Sequence, residues 1–420
     1  MSRFLRSTGK PLFIYAGVVQ PSIVKTLYTS GILKDKDIQN LIDFCYPLSK
    51  MDPGPYTYIN RFKSSNGIFY NVFCLRDQTS FIINHNNKAP SKNQQNTNNI
   101  ESNLNLNEHC SLCIVSEYNE YLAFEEILKM TRNLLLNKVE AAEMYLRNII
   151  HENYYRSNEK IWNCLQQTSK VSDNIPLKII GLLITALISD TSCIVVSSNL
   201  EKLSKFCYEL QFLICPLKWH HIFVPILPKK FIDTIQSPSP FIVGLHRTLL
   251  KKALKDEVDG HLLIDIDDKI KIDAKKIEVF PNWALSIAKS SLQSNELQDR
   301  QTLIMKLICK ALGIQMSNSL QVTVKRINSA MNNIHYQTNT FSCSLLNSRT
   351  LISFFDAIKE NTISKEYKKM IERSCKSNVT SLAIQKVDEF PITKRKPKVH
   401  ETKANFIESD SGSNSINSSS

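Results

Sequence analysis

The stretch CIVVSSNLEKLSKFCYELQFLICPLKWHHIFVPIL, residues 193–227, decides the fold. CIVVSS is a compact β-branched run that reads as a strand, and Asn199 is an N-cap residue for the helix LEKLSKFCYELQFLI. HIFVPIL reads as the next strand. Strand, crossover helix and strand make a βαβ unit, which calls for a parallel sheet covered by helices. Working outward, IPLKIIGLLITALIS (175–189) is apolar on every side and reads as a buried helix. FIVGL (241–245) and HLLIDI (261–266) continue the alternation.

The first third reads as α plus β. FIYAGVV (13–19), FYNVFCL (69–75) and SLCIVS (111–116) are rich in β-formers, and 121–136 has helical apolar spacing. Asn-dominated residues 84–109 read as a disordered surface insertion, because they have no periodicity and little to bury. Residues 137–174 read as helix and connector. From 281 to about 375 the pattern is helical, and 379–420 reads as a disordered basic and Ser-rich tail.

Composition narrows the class. The chain has 420 residues, 42% of them hydrophobic, which is enough for two or three packed units. Net charge is +13, which favours an acidic partner surface, an anionic membrane or nucleic acid without choosing among them. Eleven cysteines scattered singly, with no secretory signal, indicate a reduced cytosolic chain. The most apolar run, 179–188, is about half of the ~20 residues a membrane span needs.

Chemical motifs are sparse. Cys110 and Cys113 have zinc or redox spacing but lack a second pair, so they read as core thiols. Cys215 with His220 and His221 fails as a ligand set, because adjacent histidines on a strand point to opposite faces. LLIDIDD (262–268) resembles the nucleophile strand of haloacid-dehalogenase-type phosphatases, but Lys269 stands where that family has Thr or Val. Its plainer reading is a strand whose Asp265 and Asp267 cap neighbouring backbone. No G-x-G-x-x-G, Walker or G-x-S-x-G pattern occurs among the ten glycines, so no covalent catalytic site, metal or cofactor is expected. KRKPK (394–398) reads as a short basic run, with no nucleic-acid partner expected.

The central motifs resemble the DENN domain family, the module of many Rab guanine-nucleotide exchange factors. A buried helix precedes a strand ending in Ser197-Ser198. Then come Trp219, a Pro-x-Leu-Pro step at Pro225 to Pro228, a Pro240-Phe241-x-x-Gly244 strand and an Asp265-x-Asp267 strand. LIDFCYP (41–47) looks like the family's opening motif. The helix-to-strand corner, commonly Glu-Arg in relatives, is Ser189-Asp190-Thr191-Ser192 here. The resemblance implies an α/β protein: a longin-like α+β N-terminal lobe, a doubly wound parallel-sheet central lobe and a C-terminal helical segment. Its boundaries are 1–140 for the longin-like lobe with the 84–109 insertion, 141–174 for a connector, 175–275 for the central lobe, 276–378 for the downstream helices and 379–420 for the tail. It further implies binding of a Rab-type small GTPase, promotion of GDP release and a role in vesicle trafficking. The expected location is cytoplasmic, peripheral on vesicle membranes.

Because ligands of open α/β sheets favour the strands' C-terminal ends, Ser197, Lys229, Lys230, Arg247, Asp265 and Asp267 are expected on the GTPase-facing rim. Pro225 is expected at an edge or bulge, and Pro228 in the first turn of a helix formed by KKFIDTI. The alternative function is a scaffold or an activator of GTP hydrolysis, with Arg61 or Arg76 offered to the γ-phosphate.

Overall fold

Two five-stranded sheets carry the fold, each built where the sequence alternates β-formers with turn residues. The computed structural model describes residues 11–359 except 22–23, 49–53, 78–108, 119–120, 152–176, 215–216, 255–259, 268–269, 274–280, 294–296, 312, 315–324, 327–328 and 330–339. Met1–Ser377 and Asn378–Ser420 separate as two units, and the second lies outside the described residues. The expected Asn-rich insertion, most of the connector and the tail also fall outside them.

The first sheet contains β1 (Tyr15–Val19), β2 (Val24–Thr29), β3 (Tyr56–Lys63), β4 (Phe69–Asp77) and β5 (Cys110–Ser116). Their order is β2-β1-β5-β4-β3, with every neighbouring pair antiparallel. Sequence reading found β1, β4 and β5 and missed the two edges. In β2 only Leu27 is buried, so VKTLYT carries no clear apolar alternation. Helix α1 (Asp35–Cys45) packs on β1 to β4, α2 (Tyr121–Leu135) covers β4 and β5, and α3 (Val139–His151) packs on α2 and β2.

The second sheet follows α4 (Leu177–Ile188). It comprises β6 (Cys193–Ser197), β7 (Ile222–Val224), β8 (Phe241–His246), β9 (Leu262–Asp265) and β10 (Lys271–Asp273), in the order β10-β9-β6-β8-β7. The β6–β8, β6–β9 and β7–β8 pairs are parallel, and β10 joins antiparallel to β9. The expected βαβ unit is therefore present, although β8 lies between its two strands. Helix α5 (Leu200–Leu213) begins as expected: the side chain of Asn199 accepts a hydrogen bond from the Lys202 backbone N–H at 2.8 Å. Asn199→Ala should cost about 1 kcal/mol of stability, read as a lower midpoint in urea unfolding.

Two expectations around the prolines need correction. The strand in HIFVPIL spans only Ile222–Val224, because Pro225 has no N–H to continue the ladder. It is an edge strand, as Pro225 suggested. KKFIDTI forms a 3-10 helix, Lys229–Gln236, rather than an α-helix, and Pro228 is its N-cap with extended dihedrals (φ −63°, ψ 144°), not a residue of its first turn. Its Phe231 breaks helical geometry (φ −106°, ψ 21°), so an α-helical ladder cannot run through it.

Gly244 explains the close meeting of these segments. A Cβ at this position would lie 1.8 Å from the Pro225 carbonyl oxygen, and the Leu227 N–H donates to the Gly244 carbonyl at 2.7 Å. The turn after β7 thus lies directly on the β8 backbone.

Helix α5 joins the two sheets, packing on β3 on one side and on β6 and β8 on the other. Ser204 Oγ accepts from the Ile59 N–H, and the Tyr208 hydroxyl lies 2.8 Å from Asn71 Oδ1 in a buried contact. Downstream helices α7 (Asn282–Gln293), α8 (Leu297–Ala311), α9 (Thr340–Asn347) and α10 (Arg349–Lys359) follow the second sheet. Helix α7 packs on α4, whose apolar residues are largely buried. The corner residue Asp190 has φ 55° and accepts from the Arg349 and Thr350 N–H groups, so it caps α10 from outside; its Oδ2 also lies 2.9 Å from His221 Nε2. Among the described residues no helix is long and apolar enough to cross a membrane.

Candidate functional site

Parallel strands β6, β8 and β9 end together, and polar residues gather where their apolar runs stop. The Ser197 hydroxyl donates to Asp267 Oδ1 at 2.6 Å, and the Ser198 N–H donates to the same carboxylate at 2.9 Å. The Ser198 hydroxyl reaches its other oxygen at 2.9 Å. Arg247, the first residue of α6 (Arg247–Ala253), bridges two carboxylates: Nε donates to Asp267 at 2.6 Å and Nη2 to Asp265. Lys202 Nζ donates to the Asp267 carbonyl at 2.8 Å. His246 completes the ring, with Nδ1 accepting from the Thr248 N–H and Nε2 lying 2.9 Å from the Ser198 carbonyl. That pattern assigns the ring proton to Nε2.

Partial burial of Asp267 works against its ionisation, but hydrogen bonds from Ser197, Ser198 and Arg247 outweigh it and hold the carboxyl well below the usual carboxylate range. Asp267 is therefore an ionised hub that fixes Arg247 on the rim. Arg247 is still 38% exposed, so its outer face is available to a partner. These contacts match the plainer expectation for Asp265 and Asp267, which cap backbone and hold an arginine. They do not resemble a phosphatase nucleophile with its carboxylate free to attack.

Of the six rim residues expected from sequence, the structure brings Ser197, Arg247, Asp265 and Asp267 together. Lys229 and Lys230 lie elsewhere, at the start of the 3-10 helix. There the Lys229 N–H donates to the Pro47 carbonyl, and Lys230 Nζ lies 2.8 Å from Asp43 Oδ2 on α1. They line a cleft of about 460 Å³ between the end of α1, the 3-10 helix and α6, with Asp43, Leu48, Asp233 and Lys252. Lys202, His246 and Ser198 were missed. The pattern Asn199-x-x-Lys202 placed the lysine one turn into a helix whose cap was already recognised, which is the signal that could have found it.

The remaining motif residues serve packing. Trp219 Nε1 donates to the Ile222 carbonyl at 3.0 Å, the Pro240 carbonyl accepts from the Ile222 N–H, and Phe241 is fully buried beside His261. Cys110 and Cys113 lie three residues apart on β5 and so point to opposite faces. Cys113 pairs in register with Cys74, whose Sγ is 3.7 Å from that of Cys45. Hydrogen bonds from Cys113 and Cys74, together with burial, hold the Cys45 thiol above its ordinary value, which disfavours the reactive thiolate. Cys215 and Lys269 lie outside the described residues.

Of the two arginines of the activator alternative, Arg76 is buried and Arg61 half-buried. Arg76 is 4% exposed and stacks over Tyr46 at 4.8 Å. Arg61 lies over Phe69 at 5.0 Å and Phe223 at 5.9 Å, in the seam between the two sheets.

Comparison with known proteins finds similarity in this lobe. Residues 165–269 match the DENN (AEX-3) domain. Over 86 residues, 20% of this chain, it is 36% identical to "Elicitor of plant defense protein 1" of Fusarium odoratissimum, covering 9% of that protein. It is 30% identical over 103 residues to human "DENN domain-containing protein 2A", covering 22% of this chain and 10% of the relative. With human "DENN domain-containing protein 1A" it shares 21% identity over 112 residues, 26% of this chain and 11% of the relative. The family match thus overlies the lobe from α4 to β9, and the matched stretches span about a tenth of these relatives' length.

Proposed function

We propose that this chain is a DENN-type guanine-nucleotide exchange module that binds a Rab-type small GTPase and promotes GDP release. The observation that carries this reading is that the DENN match coincides with the lobe whose C-terminal strand ends present the Arg247 cluster. In open α/β sheets that rim is where ligands are held. On this reading the antiparallel sheet with its helices is the longin-like lobe of residues 1–140, followed by a connector (141–174), the central lobe (175–275) and the downstream helices (276–378). The chain acts in vesicle trafficking, cytoplasmic and peripheral on vesicle membranes.

Exchange needs no covalent chemistry. The module must bind the nucleotide-free GTPase more tightly than the loaded one, and by linkage the nucleotide then binds more weakly by the same factor. Each ~1.4 kcal/mol of that difference weakens nucleotide binding about tenfold. A rim held rigid by Asp267 suits this role, because little ordering cost is left to be met on docking.

Fluorescent GDP release from a panel of Rab GTPases tests the reading. Acceleration of at least one member by the folded chain is expected. A panel in which no member responds, with the chain's unfolding transition intact, would overturn it.

A further inference from the structure

The cleft lysines separated from the rim point to a surface of another kind. Lys229 and Lys230 begin the 3-10 helix, Lys251 and Lys252 lie in the last turn of α6, and the two helices pack side by side. All four lysines are exposed. Two large apolar side chains accompany them: Phe231 at 38% exposure and Leu254 at 36%. Phe231 is propped from behind by Phe44, stacked at 5.8 Å, and Lys230 Nζ lies 5.7 Å from its ring centre. Among the residues lining the cleft, Asp43 and Asp233 are acidic and Lys229, Lys230 and Lys252 basic, with Asp43 paired to Lys230, and the whole chain carries a net charge of +13.

We infer that the 3-10 helix and α6 form a docking surface for an anionic lipid bilayer, with the four lysines meeting headgroup phosphates and Phe231 and Leu254 entering the interfacial layer. Exposed lysines are compact, strongly hydrated point charges suited to a diffuse layer of phosphates rather than to a bidentate protein carboxylate. An exposed aromatic and a leucine beside them supply the apolar part that binding at a bilayer interface requires. The cleft, about 460 Å³ and walled by Leu48 and Ile232, is large enough for one headgroup between Lys229 and Lys252. This surface is independent of the exchange reading, since none of its residues belongs to the Arg247 cluster.

Vesicle flotation with the full chain tests the inference, using neutral phosphatidylcholine vesicles and vesicles in which a third of the lipid is phosphatidylserine. The chain should float with the anionic vesicles and not with the neutral ones. Each lysine near such a surface is worth roughly fivefold in partitioning, so Lys251→Glu with Lys252→Glu should weaken binding at least about 25-fold. Phe231→Ser should weaken it while leaving its salt dependence in place. A variant with Lys394, Arg395, Lys396 and Lys398 changed to serine should bind nearly as the parent does. Equal flotation with neutral vesicles, undiminished binding by the Lys251/Lys252 variant, or loss of binding only in the tail variant would overturn the inference. So would capture of polyglutamate as tightly as of vesicles, which would assign the surface to an acidic protein. A thermal melt of each variant separates lost binding from lost folding.

Discussion

Gly244→Ala is expected to destabilise the parallel-sheet lobe by about 3 kcal/mol, at the upper end of what an overpacked methyl normally costs. The added Cβ would occupy space 1.8 Å from the Pro225 carbonyl oxygen and 3.1 Å from Cys207 Sγ. Backbone cannot rotate aside as a side chain can, so either β8 or the turn after β7 must move. Moving the turn stretches the bond from the Leu227 N–H to the Gly244 carbonyl and displaces Pro228, which leads into the 3-10 helix. Urea or thermal unfolding followed by circular dichroism reads the effect. A midpoint equal to that of the parent would show that this close approach does not hold the lobe together.

The second large effect is expected at Asp267. Asp267→Asn keeps the shape but removes the charge that holds Arg247, Ser197 and Ser198, and it turns an amide N–H₂ toward one of those donors. Charge-assisted hydrogen bonds of this kind contribute roughly 1.5–3 kcal/mol, and with the group partly exposed to solvent about 2 kcal/mol is expected here. The pH dependence has a definite sign. Because the folded-state pKa of Asp267 is depressed, its contribution is fully present above the ordinary aspartate value, about 3.9, and is lost as pH falls through the folded-state value. The stability difference between parent and variant should therefore be constant near neutrality and shrink below about pH 4. A difference that grows as the pH falls would contradict the assignment. With Arg247 released from its place on the rim, GDP release from the responsive Rab should slow by about tenfold, the equivalent of ~1.4 kcal/mol.

Much of this architecture was legible where one local signal dominated. The Asn199 cap, the all-apolar α4 and the β-branched strands β6 and β8 each declare themselves within a few residues. Edge strand β2 did not, because it buries only Leu27 and so shows no two-residue period. The helix in KKFIDTI was legible, but its 3-10 type was not, because that depends on the dihedrals at Phe231. The rim was partly legible: strand ends can be counted from sequence, so Ser197, Arg247, Asp265 and Asp267 were placed together. Lys229 and Lys230 were expected on the same rim, but their position depends on the turn after β7 folding back over Gly244 and against Pro47, a contact between segments some 180 residues apart. Asp190 was noticed only as a departure at a corner. Its capping of α10 joins residues too far apart in the chain for any local pattern to reveal.

The central claim is that the rim of the parallel-sheet lobe docks a switch protein and prefers it without nucleotide. The most direct test is the affinity of the chain for one responsive Rab in its nucleotide-free, GDP-loaded and GTP-loaded forms, measured in parallel for the parent and for Arg247→Glu. The account predicts much the tightest binding for the nucleotide-free form, with that preference lost when Arg247 is reversed. Equal affinity for all three forms, or a preference untouched by the Arg247 change, would contradict it.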